Sequence, residues 1–214
     1  MTPTPLPAGL YVITDSHLIP ADRLIDSVTR AIEGGAVMVQ YRDKQRSGNL
    51  RRREAEALSD LCHRHHVPLI INDDIELAWT VGADGVHLGQ HDPTPRQARD
   101  RLGDGAIIGV SCYNRLENAR QAQVAGASYV AFGRFFPSAT KPAAVTARPA
   151  LLSEARRELD LPIAAIGGIT PGNGAELVAD GADLLAVIHG VFGQPDIEAA
   201  ARRYAALFET GPAT

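Results

Sequence analysis

The stretch LPIAAIGGITPGNGAELVADGADLLAVIHG, residues 161–190, decides how the chain is read. It holds two short apolar runs, Ile163–Ile166 and Leu184–Ile188, separated by a segment that ends in Gly181-Ala182. Neither run alternates apolar with polar residues, as expected of parallel strands covered on their outer side by helices. Glycine just before the second run suits the left-handed residue that ends a helix. The same punctuation recurs at Gly35-Ala36, Gly82-Ala83 and Gly126-Ala127, about 50 residues apart, so each interval spans two strand–helix units.

Working outward, further strand candidates are Leu10–Thr14, Val37–Tyr41, Leu69–Asn72, Gly85–Leu88, Ile107–Ser111 and Tyr129–Phe132, which makes eight in all. Pro68 and Pro162 take the punctuating place before the third and seventh. Amphipathic stretches such as Ala21–Glu33, Asn49–His66 and Arg115–Ala125 lie between the strands, and a last helix covers about Ile197–Phe208. Eight alternating units over 214 residues predict a single (β/α)8 barrel domain, residues 1–214. An open doubly wound sheet is the rival. It asks for a Gly-rich loop after an early strand, whereas the first strand runs into Thr14-Asp15-Ser16-His17. The long loop Gly133–Pro149 reads as a binding loop or lid.

Apolar residues make up 45% of the chain and the formal net charge is −4. No global positive field draws it to nucleic acid or a membrane, so an anionic substrate needs cations placed locally. The segment MTPTPLPAGLYV lacks a basic start followed by an apolar stretch, and no apolar run is long enough to span a bilayer. Cys62 and Cys112 have no metal-type spacing and read as buried thiols in a reducing cytoplasm. Assembly into a homo-oligomer is left open.

In such a barrel the site lies at the C-terminal ends of the strands, and the polar residues gather there. Gln40 and Arg42, two apart, face one way, with Lys44 just beyond; the two cations suit an oxyanion such as diphosphate. The third strand ends Ile71-Asn72-Asp73-Asp74 and the fourth ends His87-Leu88-Gly89-Gln90-His91-Asp92. Asp73 and Asp92 fit the demand of Mg2+ for one or two carboxylates beside water and phosphate oxygens. Each also has a structural role open to it. Asp73 fits a capping box with Glu76, unless Asp74 is the cap, and Asp92 suits a turn before Pro93. His87 stands as readily for packing as for chemistry, and His63, His65 and His66 read as surface residues at a helix end. Ser111 either bonds a ligand or caps a helix. Ser138, Thr140 and Lys141 either close over phosphate or decorate a plain loop. Gly167-Gly168 lets backbone N–H groups approach an anion, which marks a phosphate-binding barrel.

Taken in order, LYVITD (Leu10–Asp15), QYRDK (Gln40–Lys44), INDD (Ile71–Asp74), GVHLGQHD (Gly85–Asp92), IIGVS (Ile107–Ser111), FPSATKP (Phe136–Pro142) and AIGGI (Ala165–Ile169) resemble the thiamine-phosphate synthase family. The resemblance covers nearly the whole chain. It implies a (β/α)8 enzyme that joins hydroxymethylpyrimidine diphosphate to a thiazole phosphate, or its carboxylated form, with Mg2+ and release of diphosphate. It assigns Gln40, Arg42, Lys44, Asn72, Ser111 and Lys141 to the pyrimidine diphosphate, Asp73 and Asp92 to the metal, and Ser138, Thr140, Gly168, Ile188 and His189 to the thiazole phosphate. Arg42, Lys44 and Lys141 are the implied catalytic cations. Two positions depart from the pattern: His189 stands where the family usually has Ser, and Ser138 where it usually has Thr. A thiazole tautomerase on the same barrel is the nearest rival, but the histidine it uses after strand five has no counterpart in Ser111-Cys112-Tyr113. A non-catalytic phosphate-binding barrel is a second. It would keep Gly167-Gly168 without the charged strand ends.

Overall fold

A computed structural model describes residues 6–137 and 145–209. Eight parallel strands close into a barrel in sequence order: β1 (Gly9–Ile13), β2 (Ala36–Tyr41), β3 (Leu69–Asn72), β4 (Gly85–Leu88), β5 (Ile107–Tyr113), β6 (Tyr129–Gly133), β7 (Ile163–Ile166) and β8 (Leu184–Val187). The helices that cover them are α1 (Leu24–Glu33), α2 (Gly48–His65), α3 (Ile75–Val81), α4 (Pro95–Leu102), α5 (Leu116–Val124), α6 (Ala150–Glu158), α7 (Gly174–Ala179), the short α8 (His189–Phe192) and α9 (Ile197–Glu209). β1 pairs with both β2 and β8, which closes the ring and leaves the sheet no free edge. Among the described residues no helix is long and apolar enough to cross a membrane.

The expected barrel is present, with shifted boundaries. The segment Ala21–Glu33 opens with a turn of 3-10 helix, Ala21–Arg23, before α1. β5 runs on to Tyr113 through a bulge between Ser111 and Tyr113, so both side chains face inward while Cys112 packs outward. β8 stops at Val187 rather than Ile188, because the chain turns at once into α8. Cys62 and Cys112 are buried free thiols, and burial pushes both up to about 12.

Side chains alternate across the barrel wall. Leu10, Val12, Val39, Leu69, Ile71, Val130 and Phe132 pack outward under the helices, and Tyr11, Ile13, Met38, Ile70, Tyr129, Ala131, Ala164, Leu184 and Ala186 fill the interior. Gly109 makes room for this filling. A Cβ there would sit 2.1 Å from the ring of Tyr129, which lies across the strand.

The Gly-Ala repeat does more than end helices. Gly35, Gly82, Gly126 and Gly181 all have positive φ, as their place demands. In three of the four repeats the next residue ties down a neighbouring strand. Asp84 accepts the N–H of Leu69 at 2.8 Å, Asp183 that of Ile163 at 2.8 Å, and Ser128 that of Ile108 at 3.0 Å. These bonds satisfy donors near the strand starts, at the end of the barrel opposite the site. Removing one leaves a strand N–H unpaired, at a cost of about 1–3 kcal/mol. Asp84→Ala should therefore lower the unfolding free energy by that amount, seen as a lower urea midpoint with an unchanged m-value, while Asp104→Ala, on an exposed turn, should not. Equal midpoints for the two variants would remove this role from Asp84.

Candidate active site

The rim begins where β1 and β2 end. The Thr14 N–H donates to Gln40 O (2.9 Å), and the Arg42 N–H donates to Thr14 Oγ1 (2.9 Å), which locks the two strand ends together. Gln40 is buried and points inward. The Arg42 guanidinium, only 17% exposed, lies 3.5 Å from a carboxylate oxygen of Asp15, itself 10% exposed. Asp15 in turn accepts the N–H of His17 (2.9 Å). Arg42 is thus held at the cavity wall rather than in open solvent.

Beyond it the loop turns tightly. Burial pushes the Asp43 carboxyl up, but the N–H groups of Gln45 and Arg46 that it accepts, at 2.8 and 3.3 Å, outweigh this and hold it below the ordinary range. A buried set backs this loop. Glu54 accepts from Tyr41 Oη (2.7 Å) and from Arg46 Nη1 (2.6 Å), and Arg46 also reaches Ile19 O (2.7 Å). Sequence reading gave these residues no role. They fix the turn whose tip carries Lys44.

The acids follow on β3 and β4. Asp74 is the cap of α3: it accepts the Leu77 N–H at 2.9 Å and pairs with Arg51 at 3.2 Å. Asp73 is thereby released from capping and takes a left-handed backbone, φ 64°. Lys44 Nζ lies 3.4 Å from its carboxylate. Asp92 accepts the N–H of Gly89 (2.6 Å), so its carboxylate folds back onto the end of β4. The two carboxyl groups lie within hydrogen-bonding reach of each other. Burial first, and then the neighbouring Asp92, push Asp73 above the ordinary carboxylate range, while Lys44 pulls it back.

Two cavities open on this rim. One, of about 560 Å³, descends into the barrel and is lined by Gln40, Arg42, Asn72, Ser111, Gly168, Ile188 and His189, among others. The other, of about 690 Å³, is shallower and includes Lys44 and Asp73. Asn72 lines both, so they adjoin. Asp92 lines neither cavity; it neighbours Asp73, and the next residue, Pro93, lines the second. Ser138, Thr140 and Lys141 lie outside the described residues. Gly167 and Gly168 both have positive φ, and the loop after β6 packs close enough that a Cβ on Gly168 would meet Pro137 O at 2.4 Å. His189 opens α8, exposed, with its ring over Gly193. Among the described residues no cluster of three or more His, Cys, Asp or Glu side chains is disposed to hold a metal ion.

Several lining residues escaped the sequence reading. Tyr113 and Arg134 face the deep cavity, and Arg134 Nε is buried without a hydrogen-bond partner among the described residues. Tyr11 and Tyr129 were absorbed into apolar strand runs, yet they join His87 in a buried polar chain. Gln40 Nε2 donates to Tyr11 Oη, Tyr11 Oη meets Tyr129 Oη at 2.8 Å, Tyr129 Oη meets His87 Nδ1 at 2.9 Å, and His87 Nε2 meets Ser111 Oγ at 2.8 Å. His87, for which packing and chemistry were both open, is a buried member of this network. The period-two spacing Tyr11/Ile13 and Tyr129/Ala131, which share the interior, is the signal that could have placed both tyrosines inside.

The comparisons with known proteins agree with the barrel fold and name a family. The family model for thiamine monophosphate synthase matches residues 10–191. The chain is 54% identical over 196 residues to the thiamine-phosphate synthase of Nitrosococcus oceani, covering 92% of this chain and 90% of that one. It is 50% identical over 208 residues to that of Thiobacillus denitrificans, with 96% and 97% covered. Among solved structures, a thiamine phosphate pyrophosphorylase from Pyrococcus furiosus superposes with a TM-score of 0.85 at 32% identity, covering 94% of this chain and 96% of that one. With the motif-bearing strand ends gathered on one rim and relatives of this identity matched over nearly their full length, the chain belongs to the thiamine-phosphate synthase family.

Proposed function

We propose that this rim condenses an aminopyrimidine diphosphate with a thiazole phosphate, giving thiamine phosphate and diphosphate. The observation that carries the reading is the meeting of Lys44 with Asp73, and of Asp73 with Asp92, beside a cavity deep enough for a heterocycle and walled by Arg42. A chain of net charge −4 has here placed cations where an anionic leaving group would sit.

The pyrimidine ring enters the deep cavity toward Gln40 and Ser111, and its diphosphate extends over Asn72 to Arg42, Lys44 and Lys141. Ser138, Thr140, Gly168, Ile188 and His189 hold the phosphate of the thiazole. The carbon–oxygen bond of the pyrimidine methylene breaks, and its electron pair leaves on the diphosphate oxygen. The electron-rich aminopyrimidine spreads the positive charge left on the methylene carbon. The thiazole nitrogen, placed by its phosphate anchor, donates its lone pair to form the carbon–nitrogen bond. No covalent bond to the protein is required.

The donor set fits a hard divalent cation. Two neighbouring carboxylates, Asp73 pushed up by burial and then by Asp92, offer oxygen ligands whose mutual repulsion a cation would relieve. Asp73 and Asp92 would hold Mg2+ together with water and phosphate oxygens, and the ion so bound supplies charge neutralisation of the diphosphate. Arg42, Lys44 and Lys141 add to that neutralisation as charge develops on the leaving oxygen. Buried free thiols support a reducing, cytoplasmic setting.

The direct test mixes the purified protein with both precursors, with and without Mg2+, and follows thiamine phosphate by the fluorescence of its oxidised form. Product and diphosphate should appear only with the metal. Isomerisation of a thiazole phosphate with no release of diphosphate would favour the tautomerase reading instead. Asp73→Asn should lower kcat by about 10²-fold at fixed Mg2+, with partial recovery as Mg2+ is raised; an unchanged Mg2+ titration would remove Asp73 from the metal site. Lys141→Ala should cut turnover by about 10²–10³-fold while thiazole phosphate binding moves by less than about threefold. Turnover near wild type would take the catalytic role from this lysine.

A further inference from the structure

The polar chain inside the barrel has a direction. Gln40 Nε2 donates to Tyr11 Oη. An amide N–H has no lone pair to receive the Tyr11 proton, so Tyr11 must give it to Tyr129, 2.8 Å away. That proton fills the gap between the two phenols. Tyr129 therefore gives its own to His87 Nδ1, at 2.9 Å. With Nδ1 accepting, the neutral imidazole carries its proton on Nε2 and donates it to Ser111 Oγ, at 2.8 Å. Both phenols are fully buried, and burial pushes each well above its ordinary range, so neither loses its proton at working pH.

We infer that Tyr11, Tyr129 and His87 are positioning residues whose one-way hydrogen bonding dictates what Gln40 and Ser111 show the substrate ring: an acceptor from Gln40 and a donor from Ser111. With Nε2 turned to Tyr11, the Gln40 carbonyl oxygen is left for the cavity. With one lone pair of its oxygen taken by the His87 proton, the Ser111 hydroxyl keeps its own hydrogen free to turn toward a ligand. The pair fits a ring that brings an amino N–H and an unprotonated ring nitrogen, as an aminopyrimidine does. At Gln40 it opposes a ring that brings a carbonyl oxygen in place of the amino group, since two acceptors would then face each other. Reversing the display would require flipping the amide, rotating both phenolic hydroxyls and moving the imidazole proton together. The polarity thus belongs to the linked chain rather than to any one of its residues. The consequence for the ring rests on the reading that Gln40 and Ser111 contact the pyrimidine.

Two measurements on the full chain test the inference separately from that reading. In wild-type protein with ¹⁵N-labelled histidine, long-range ¹H–¹⁵N correlation should show His87 neutral with its proton on Nε2. A proton on Nδ1 would overturn the direction outright, with no variant needed. In steady-state kinetics, Tyr129→Phe and Tyr11→Phe should raise KM for the aminopyrimidine diphosphate about tenfold, the scale of one broken buried hydrogen bond. KM for the thiazole phosphate should hold. Competition by the 4-oxo analogue of the pyrimidine should strengthen about tenfold relative to wild type, a change that loosened packing alone would not produce. Unaltered discrimination between amino and oxo rings in both variants would overturn the positioning role. An Nε2 proton found together with an unmoved pyrimidine KM would leave the direction standing and sink the assignment of Gln40 and Ser111 to the ring.

Discussion

A closed parallel barrel brings the C-terminal end of every strand to one rim, and everything proposed for this protein depends on that constraint. Gln40, Asn72, Ser111 and Gly168 are far apart in sequence, yet they line one cavity because closure leaves their strand ends nowhere else to go. The opposite end of the barrel is spent on stability. Asp84, Ser128 and Asp183 satisfy backbone donors near the strand starts and play no part in the cavity. Stability and chemistry are thus divided between the two ends, so loops at the rim can be shaped by function.

Charge at the rim is arranged in pairs. Arg42 leans on Asp15, and Lys44 on Asp73. A lone buried cation would be costly to desolvate, and a lone pair of touching carboxylates would repel. Together these groups hold one another in place before any ligand arrives. The buried turn made by Asp43, Arg46 and Glu54 fixes where Lys44 starts, which the local sequence QYRDK does not reveal. Preorganisation of this kind spares the reaction the cost of reorienting dipoles as charge moves to the leaving group.

The fold was legible because its signals are local and repeated. Apolar runs and Gly-Ala punctuation located all eight strands, three of them, β3, β4 and β7, with the observed ends. The misplaced boundaries have physical causes. The bulge at Cys112 lengthens β5, and the turn into α8 shortens β8. The candidate site was legible as polar residues at strand ends, and the choice between Asp73 and Asp74 as helix cap fell to Asp74 once the Leu77 N–H was found on its carboxylate. What stayed hidden depends on contacts across the barrel. Tyr11 and Tyr129 look like ordinary strand aromatics until closure sets their hydroxyls 2.8 Å apart, 118 residues apart in sequence. Arg134 follows β6 in a loop whose course no local pattern fixes, so its place at the cavity wall could not be read.

The central claim is that the acids and cations of the rim form one site around a single divalent ion and a diphosphate. The most direct measurement is anomalous diffraction from crystals grown with Mn2+ and inorganic diphosphate. One anomalous peak should lie between the carboxylates of Asp73 and Asp92, with the diphosphate oxygens turned toward Arg42 and Lys44. An ion bound elsewhere, or a diphosphate that leaves these four residues untouched, would contradict the account.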